Sequence, residues 1–356
     1  MQLTNVTVKE AFAACVNNKN IILDVRTVAQ YVQGAATGAV CMEFSDLNEL
    51  ALTKLSKEIN YYIMCQRGKV SVQAISQLRK LGFNNLYHID AGYDEWLKQK
   101  LPTEIPTETP KANTHDLRYL RHHQLPGFGR IAQNKLQKAH ILQIGAGGLG
   151  SSCGLYLAAA GVGQITIIDD DVVQLSNLQR QIIHTTDSIN TLKVASAKQQ
   201  LLSLNPEITI NAIAARLDKN NVDKLVENAD IIIDGSDNLS TRYMVNDSCI
   251  KYHKPLVYAA LYQYEAQISV FNLQQPDAPC LRCLFPQTKG FEPDNCSTAG
   301  VLGVVPGLAG IMQASEAIKL ITKVGEVLTG KLLICDLLDN SFRTIKYAKA
   351  NSCPKH

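Results

Sequence analysis

Apolar residues along this chain fall into short unbroken runs and helical periods rather than one repeating pattern. Near the start, "NIILDVRT" and "YYIMC" are blocks of consecutive apolar side chains, as in buried strands, whereas "SVQAISQLRKLGF" spaces Val72, Ile75, Leu78 and Leu81 as a helix would. They predict a small α/β unit. Further on, strand-like and helix-like stretches alternate through "ILQIG", "GLYLAAAG", "QITIID", "LKVASAKQQLLSLN", "ITINAIAA", "NVDKLVENA" and "DIIIDGSDN". That order predicts a mostly parallel sheet with crossover helices. Between them "LPTEIPTETPKANTHD", Leu101 to Asp116, follows neither period and carries three prolines, so it reads as a semi-rigid linker. The expected organisation is a small α/β domain over 1–100, a linker over 101–116 and a larger α/β domain over 117–356.

Composition narrows the function classes. A chain of 356 residues can bury two cores, and 46% hydrophobic with 19% charged residues is ordinary for a folded protein. Lys and Arg number 35 against 32 Asp and Glu, with the signs interleaved, so nothing points to nucleic acid. The N-terminus lacks the basic start, apolar run and cleavage site of a signal peptide, and a cytoplasmic location is expected. The longest weakly polar run, Ala299 to Ala314, is too short for a membrane span and contains Pro306 and four glycines. It predicts a buried loop and helix. Ten cysteines without an export signal point to a reducing compartment, where they serve metals, catalysis or packing.

The chemistry begins at "HILQIGAGGLGSS". Gly145, Gly147 and Gly150 fit G-x-G-x-x-G after a strand, and Asp169 lies 19 residues beyond Gly150 at the end of the next one. Glycines let backbone approach phosphates, a helix N-terminus favours their charge, and a carboxylate takes ribose hydroxyls. The loop reports a nucleotide and leaves an NAD-dependent oxidoreductase open. The polar cluster Ser176, Asn177, Gln179 and Arg180 then argues for phosphate cleavage, with Arg180 and Lys193 neutralising a triphosphate and Asp237 suited to Mg²⁺. Each has a plainer alternative: solvated cations, and a helix cap for Asp237.

"GAGGLGSS", "DDDVVQLSNLQRQ", "SDN" and "NCSTAGVLGVVPGLAGIMQASEAIKL" closely resemble the ThiF/MoeB/HesA family, relatives of ubiquitin-activating enzymes, over about 116–356. The resemblance implies a Rossmann-like ATP-binding domain that adenylylates the C-terminal glycine of a ubiquitin-like sulfur carrier ending in Gly-Gly. It implies contacts to ATP or its metal from Gly148, Asp169, Ser176, Asn177, Arg180, Lys193, Asp237 and Asn238. It also implies a homodimer in which Arg121, in "RYLRHHQ", reaches the partner's triphosphate, and a loop cysteine, Cys296, near the adenylate.

The remaining cysteines sort by spacing. Cys280 and Cys283 form C-x-x-C, and Cys353 with His356 forms C-x-x-H; two short pairs of soft ligands fit a structural zinc site. Cys15, Cys41, Cys153, Cys249 and Cys335 lie in apolar surroundings and read as packing residues. Cys65 follows a strand and opens a glycine-containing loop into a helix, where N–H groups and the helix dipole favour a thiolate or persulfide. With "LDVR" upstream, "AGYDEW" downstream and C-x-x-G-x-x-S at Cys65, Gly68 and Ser71, residues 1–100 resemble a rhodanese domain, although Val70 stands where many rhodaneses have arginine and "GAATGA" where they have G-H-I-P-G-A.

Together these predict an adenylyltransferase with an attached sulfurtransferase. A Cys65 persulfide, charged by a donor such as a cysteine desulfurase, would convert the activated carrier to a thiocarboxylate for molybdopterin, thiamine or tRNA thiolation. The alternatives are a non-catalytic carrier-binding scaffold and an NAD-dependent oxidoreductase.

Overall fold

In the computed structural model, the described residues are 3–16, 20–106, 118–275, 277–286, 300–351 and 353. The chain divides into two compact units, Met1–Gln124 and Leu125–His356. Of the expected linker, residues 101–106 belong to the first unit and 107–116 lie outside the described residues.

The first unit contains β1 (Asn5–Val6), β2 (Asn20–Asp24), β3 (Ala35–Ala36), β4 (Val40–Cys41), β5 (Asn60–Met64), β6 (Leu86–Ile89) and β7 (Thr103–Glu104). A five-stranded parallel sheet has the order β1-β6-β5-β2-β4, while β3 and β7 form a separate antiparallel pair. The runs "NIILD" and "NYYIM" form its central strands, packed on both faces. Helix Lys69–Lys80 buries Ser71, Ala74, Ile75 and Leu78, while Val72 is 41% exposed. Ile75 and Leu78 are thus buried as expected, whereas small Ser71 and Ala74 take the buried place expected of Val72.

Gly92 shows how tightly this unit is built. Its φ is +62°, and a Cβ there would meet the Cys65 carbonyl oxygen at 2.1 Å. Gly92→Ala combines a disfavoured backbone with a backbone clash, so it is expected to destabilise this unit by about 3 kcal/mol or more in chemical denaturation.

The second unit holds β8 (His140–Ile144), β9 (Gln164–Ile168), β10 (Thr209–Ile213), β11 (Ile231–Asp234), β12 (Leu256–Tyr262), β13 (Glu265–Phe271), β14 (Lys331–Asp336) and β15 (Ser341–Lys346) in one sheet. Its order is β10-β9-β8-β11-β12-β13-β14-β15, parallel from β10 to β12 and antiparallel beyond. The chain winds outward from β8 to β10 and then returns beside β8 as β11. Ligands of such sheets bind where the winding reverses, outside the carboxyl ends of the strands. The antiparallel extension was not read from the sequence.

Helix Gly148–Ala160 packs against helix Val304–Thr322 so closely that a Cβ on Gly310 would meet Ser152 Oγ at 2.1 Å. Helix Val304–Thr322 is long and apolar enough to cross a membrane by length and composition, but it buries Val305, Ala309, Ala314, Ala317 and Leu320 within the fold.

Candidate functional site

A cleft of about 730 Å³ opens at the carboxyl ends of β8, β9 and β11, where the winding reverses. Its lining includes Gly145, Gly147, Gly148, Asp169, Asn177, Arg180, Lys193, Asp237 and Asn238. Ile144, Ile168, Ala215 and Leu217 add apolar surface of the kind a base packs against.

The glycines of the loop serve different ends. Gly145 has φ +91°, and a Cβ on Gly150 would meet the Gly145 carbonyl oxygen at 2.2 Å, so the turn itself requires both. Gly147 is different. A Cβ there meets nothing closer than Gln181 Nε2 at 3.6 Å, so its small size leaves open the space over the N-terminus of helix Gly148–Ala160.

Around this floor the polar groups are held in place. Asp169 accepts from Ala146 N at 2.8 Å and Asp171 N at 2.9 Å, which fixes its carboxylate beside the loop. Lys193 is 6% exposed, and its Nζ pairs with Asp171 Oδ2 at 2.7 Å. Arg180, half-buried, donates to the Ser176 carbonyl at 3.2 Å; Ser176 itself is exposed and does not line the cleft. Asp237 follows β11 and is exposed; Asn238 Nδ2 donates to it at 3.3 Å. The cap of helix Leu239–Lys251 is Asn238, whose Oδ1 accepts from Thr241 N at 2.9 Å, so capping does not account for Asp237.

Several contributors were not legible in the sequence. Asp171 is the acidic partner of Lys193. His184, buried, bridges Ser196 Oγ and the Ala146 carbonyl at 2.9 Å each, and burial pushes its imidazole toward the neutral form. Asp234, fully buried, accepts from Ser236 N, while Arg242 Nη2 donates to the Ser236 carbonyl at 2.8 Å. The two charges stand 3.5 Å apart, and burial pushes the Asp234 carboxyl up against the opposing pull of Arg242. Together they brace the loop that carries Asp237.

Cys280 Sγ lies 3.9 Å from Cys283 Sγ and 3.7 Å from Cys353 Sγ. Thiolates on a tetrahedral zinc with bonds of about 2.3 Å sit about 3.8 Å apart, so the three sulfurs fit that ion. The expected fourth ligand, His356, lies outside the described residues, as does Cys296. Arg121 is exposed on the short helix Leu120–His123 and donates to Gln124 Oε1 at 3.4 Å.

In the first unit Cys65 directly follows β5 and is 3% exposed. The loop turns through Gly68 at φ +74° into helix Lys69–Lys80. Beneath it the buried pair Asp24 and Arg26 is closed at 2.6 Å, and Arg26 Nη1 reaches Gln66 Oε1 at 3.4 Å. Val70 is 38% exposed. The five cysteines read as packing residues are buried or half-buried. Burial raises every one of their thiol pKa values, Cys15 to about 11 and Cys41 to about 12.

The ThiF family profile matches residues 119–355, and the rhodanese-like domain profile matches residues 7–99. The chain is 44% identical over 239 residues to the SAMP-activating enzyme E1 of Haloferax volcanii, covering 67% of this chain and 87% of that protein. It is 40% identical over 242 residues to the sulfur carrier protein adenylyltransferase of Thermus thermophilus, covering 67% and 89%. The probable adenylyltransferase/sulfurtransferase MoeZ of Mycobacterium tuberculosis is 41% identical over 263 residues, covering 73% and 67%. Among solved structures, E. coli MccB superposes with a TM-score of 0.61 at 23% identity, over 74% of this chain and 78% of that one, a likeness of fold.

Proposed function

The chain belongs to the ThiF family and carries a rhodanese-like domain, and from that premise we propose that it adenylylates the C-terminal glycine of a ubiquitin-like sulfur carrier and then supplies it with sulfur. The observation that carries this reading is the single cleft that gathers the glycine loop, Asp169, Arg180, Lys193 and Asp237. A carboxylate oxygen of the carrier attacks the α-phosphorus of ATP, the bond to the β-phosphate oxygen breaks, and pyrophosphate leaves. Two anions must meet, so the protein's task is positioning and fixed positive charge. Arg180 and Lys193 supply that charge, and Asp169 orients the ribose. Asp237, exposed and braced from below, is the group to hold Mg²⁺, which would add charge at the phosphates. No general base is needed, because the carrier's carboxylate is already ionised near neutral pH.

Further parts of the reading rest on the family. Arg121 reaches a partner's triphosphate in a homodimer, Cys296 acts beside the adenylate, and zinc is held by Cys280, Cys283 and Cys353 with His356. The outer sulfur of a Cys65 persulfide, loaded by a desulfurase in the cytoplasm, attacks the carrier's acyl adenylate and expels AMP. A second thiol then cleaves the resulting acyl disulfide at Cys65 Sγ, releasing the thiocarboxylate and leaving a disulfide on Cys65.

The test is ATP–pyrophosphate exchange with Mg²⁺ and carriers ending in Gly-Gly. Exchange that disappears when the last glycine is removed is the expected result. No exchange with any carrier would leave the cleft as a binding site and favour a scaffold.

A further inference from the structure

Beside Cys65 the first unit buries two polar side chains that its core does not need. Ile63 on β5 pairs with His88 on β6, so Cys65, two residues on, leaves the strand on the face to which His88 belongs. The apolar residues on that side include Ile63 and Leu86 of the sheet and Ala74, Ile75 and Leu78 of helix Lys69–Lys80. Among them project Ser71, fully buried in the first turn of that helix, and His88, 4% exposed. Buried polar groups cost free energy unless they are hydrogen-bonded, and here they bond in series toward the thiol. Cys65 Sγ lies 3.3 Å from Ser71 Oγ, and Ser71 Oγ lies 3.1 Å from His88 Nδ1.

We propose that His88, acting through Ser71, is the proton acceptor that keeps Cys65 available as a thiolate. Neither residue touches substrate; both are positioning residues. The inference rests on the sulfur-transfer role of this unit. With its own proton on Nε2, His88 presents a lone pair at Nδ1. The Cys65 proton passes to Ser71 Oγ as the Ser71 hydroxyl proton passes to Nδ1, so one S–H and one O–H bond break while one O–H and one N–H bond form. A thiolate and an imidazolium result, with no change in net charge. The thiolate then attacks the sulfane sulfur of a persulfide or thiosulfate, forming the new S–S bond and expelling a thiolate or sulfite with the electrons of the broken bond.

The surroundings suit this exchange. Burial holds the His88 imidazole pKa below its ordinary value, so the ring is neutral and can accept, at a cost to the imidazolium that the nearby Asp90 carboxylate offsets in part. The loop above contributes an arginine, Arg67, already engaged by Asp94 at 3.1 Å.

The test uses the full chain and the rate of iodoacetamide alkylation at Cys65, followed by peptide mass mapping from pH 5 to 9. His88→Asn places an amide oxygen near the Nδ1 position, which retains a partner for Ser71 but removes the basicity; Ser71→Ala breaks the series. Each is expected to slow labelling at pH 7 at least tenfold, to move the midpoint of the pH profile up by about one unit or more, and to reach the wild-type plateau at high pH. The double variant should be no slower than either single one. Labelling of Cys15, on helix Val8–Cys15 of the same unit, monitors folding. A His88→Asn profile that superimposes on wild type overturns the proposal, as does a loss with Ser71→Ala alone. If Cys15 labelling rises in His88→Asn, the conservative His88→Gln variant is read by the same two criteria. Loading of wild-type Cys65 from thiosulfate, measured by mass, is scored separately: its absence counts against sulfur transfer, while the pH profile still decides the relay.

Discussion

Lys193→Ala is expected to lower ATP–pyrophosphate exchange by about 10²- to 10³-fold, the usual loss when one fixed donor is removed from developing charge. Lys193 is nearly buried at the edge of the cleft, and its ammonium is held by Asp171, whose side chain is 68% exposed. That asymmetry makes the variant readable. Truncating the lysine leaves behind a solvated carboxylate rather than a buried charge, so the fold should persist and the deficit should appear in turnover. Lys193→Met, which keeps most of the packing, should be equally impaired. A deficit below tenfold in both variants, with normal thermal unfolding, would remove Lys193 from the phosphate machinery.

Removing zinc should have the largest effect on stability. The purified chain is expected to hold one zinc ion by elemental analysis, and Cys280→Ser or Cys353→Ala should abolish it. A ligand present at about 1,000 times its dissociation constant stabilises the folded state by about 4 kcal/mol. At about 2–4 °C per kcal/mol for a unit of this size, stripping the ion should lower the unfolding midpoint of the second unit by about 8–16 °C. Cys353 lies far along the chain from Cys280 and Cys283, so the ion would fasten the last described residue to the body. His356→Ala should weaken the site while leaving three sulfur ligands. Wild-type protein without zinc and with an unchanged midpoint after chelation would refute this reading.

What the sequence disclosed and what it withheld divide along physical lines. Gly145, Gly147, Gly150 and Asp169 were visible because one short stretch of chain fixes their spacing. Parallel strands were visible because burial on both faces makes unbroken apolar runs. The antiparallel strands β13 to β15 went unread; β15, exposed along its whole length, carries little burial signal. Asp171, Asp234, Arg242 and His184 were missed because tertiary packing gives them their roles. Asp169 was singled out by its spacing from the glycines, but nothing local showed that Asp171, two residues on, meets Lys193. Similarly, Ser71 was visible in a local motif, but its bond to His88 depends on strand register and a helix 17 residues away from its partner.

The protonated packing cysteines have a consequence for chemoselectivity. A protein that passes sulfane sulfur through one thiol risks losing it to its own neighbours, since exchange between sulfurs requires an attacking thiolate. Cys15, Cys41, Cys153, Cys249 and Cys335 are all held toward the thiol form by burial, and three of them lie wholly inside the cores. They are slow nucleophiles near neutral pH and poor acceptors of wandering sulfur. These five cysteines therefore add little internal cross-talk: the burial that packs them also keeps them from competing for any sulfur carried, as proposed, on Cys65.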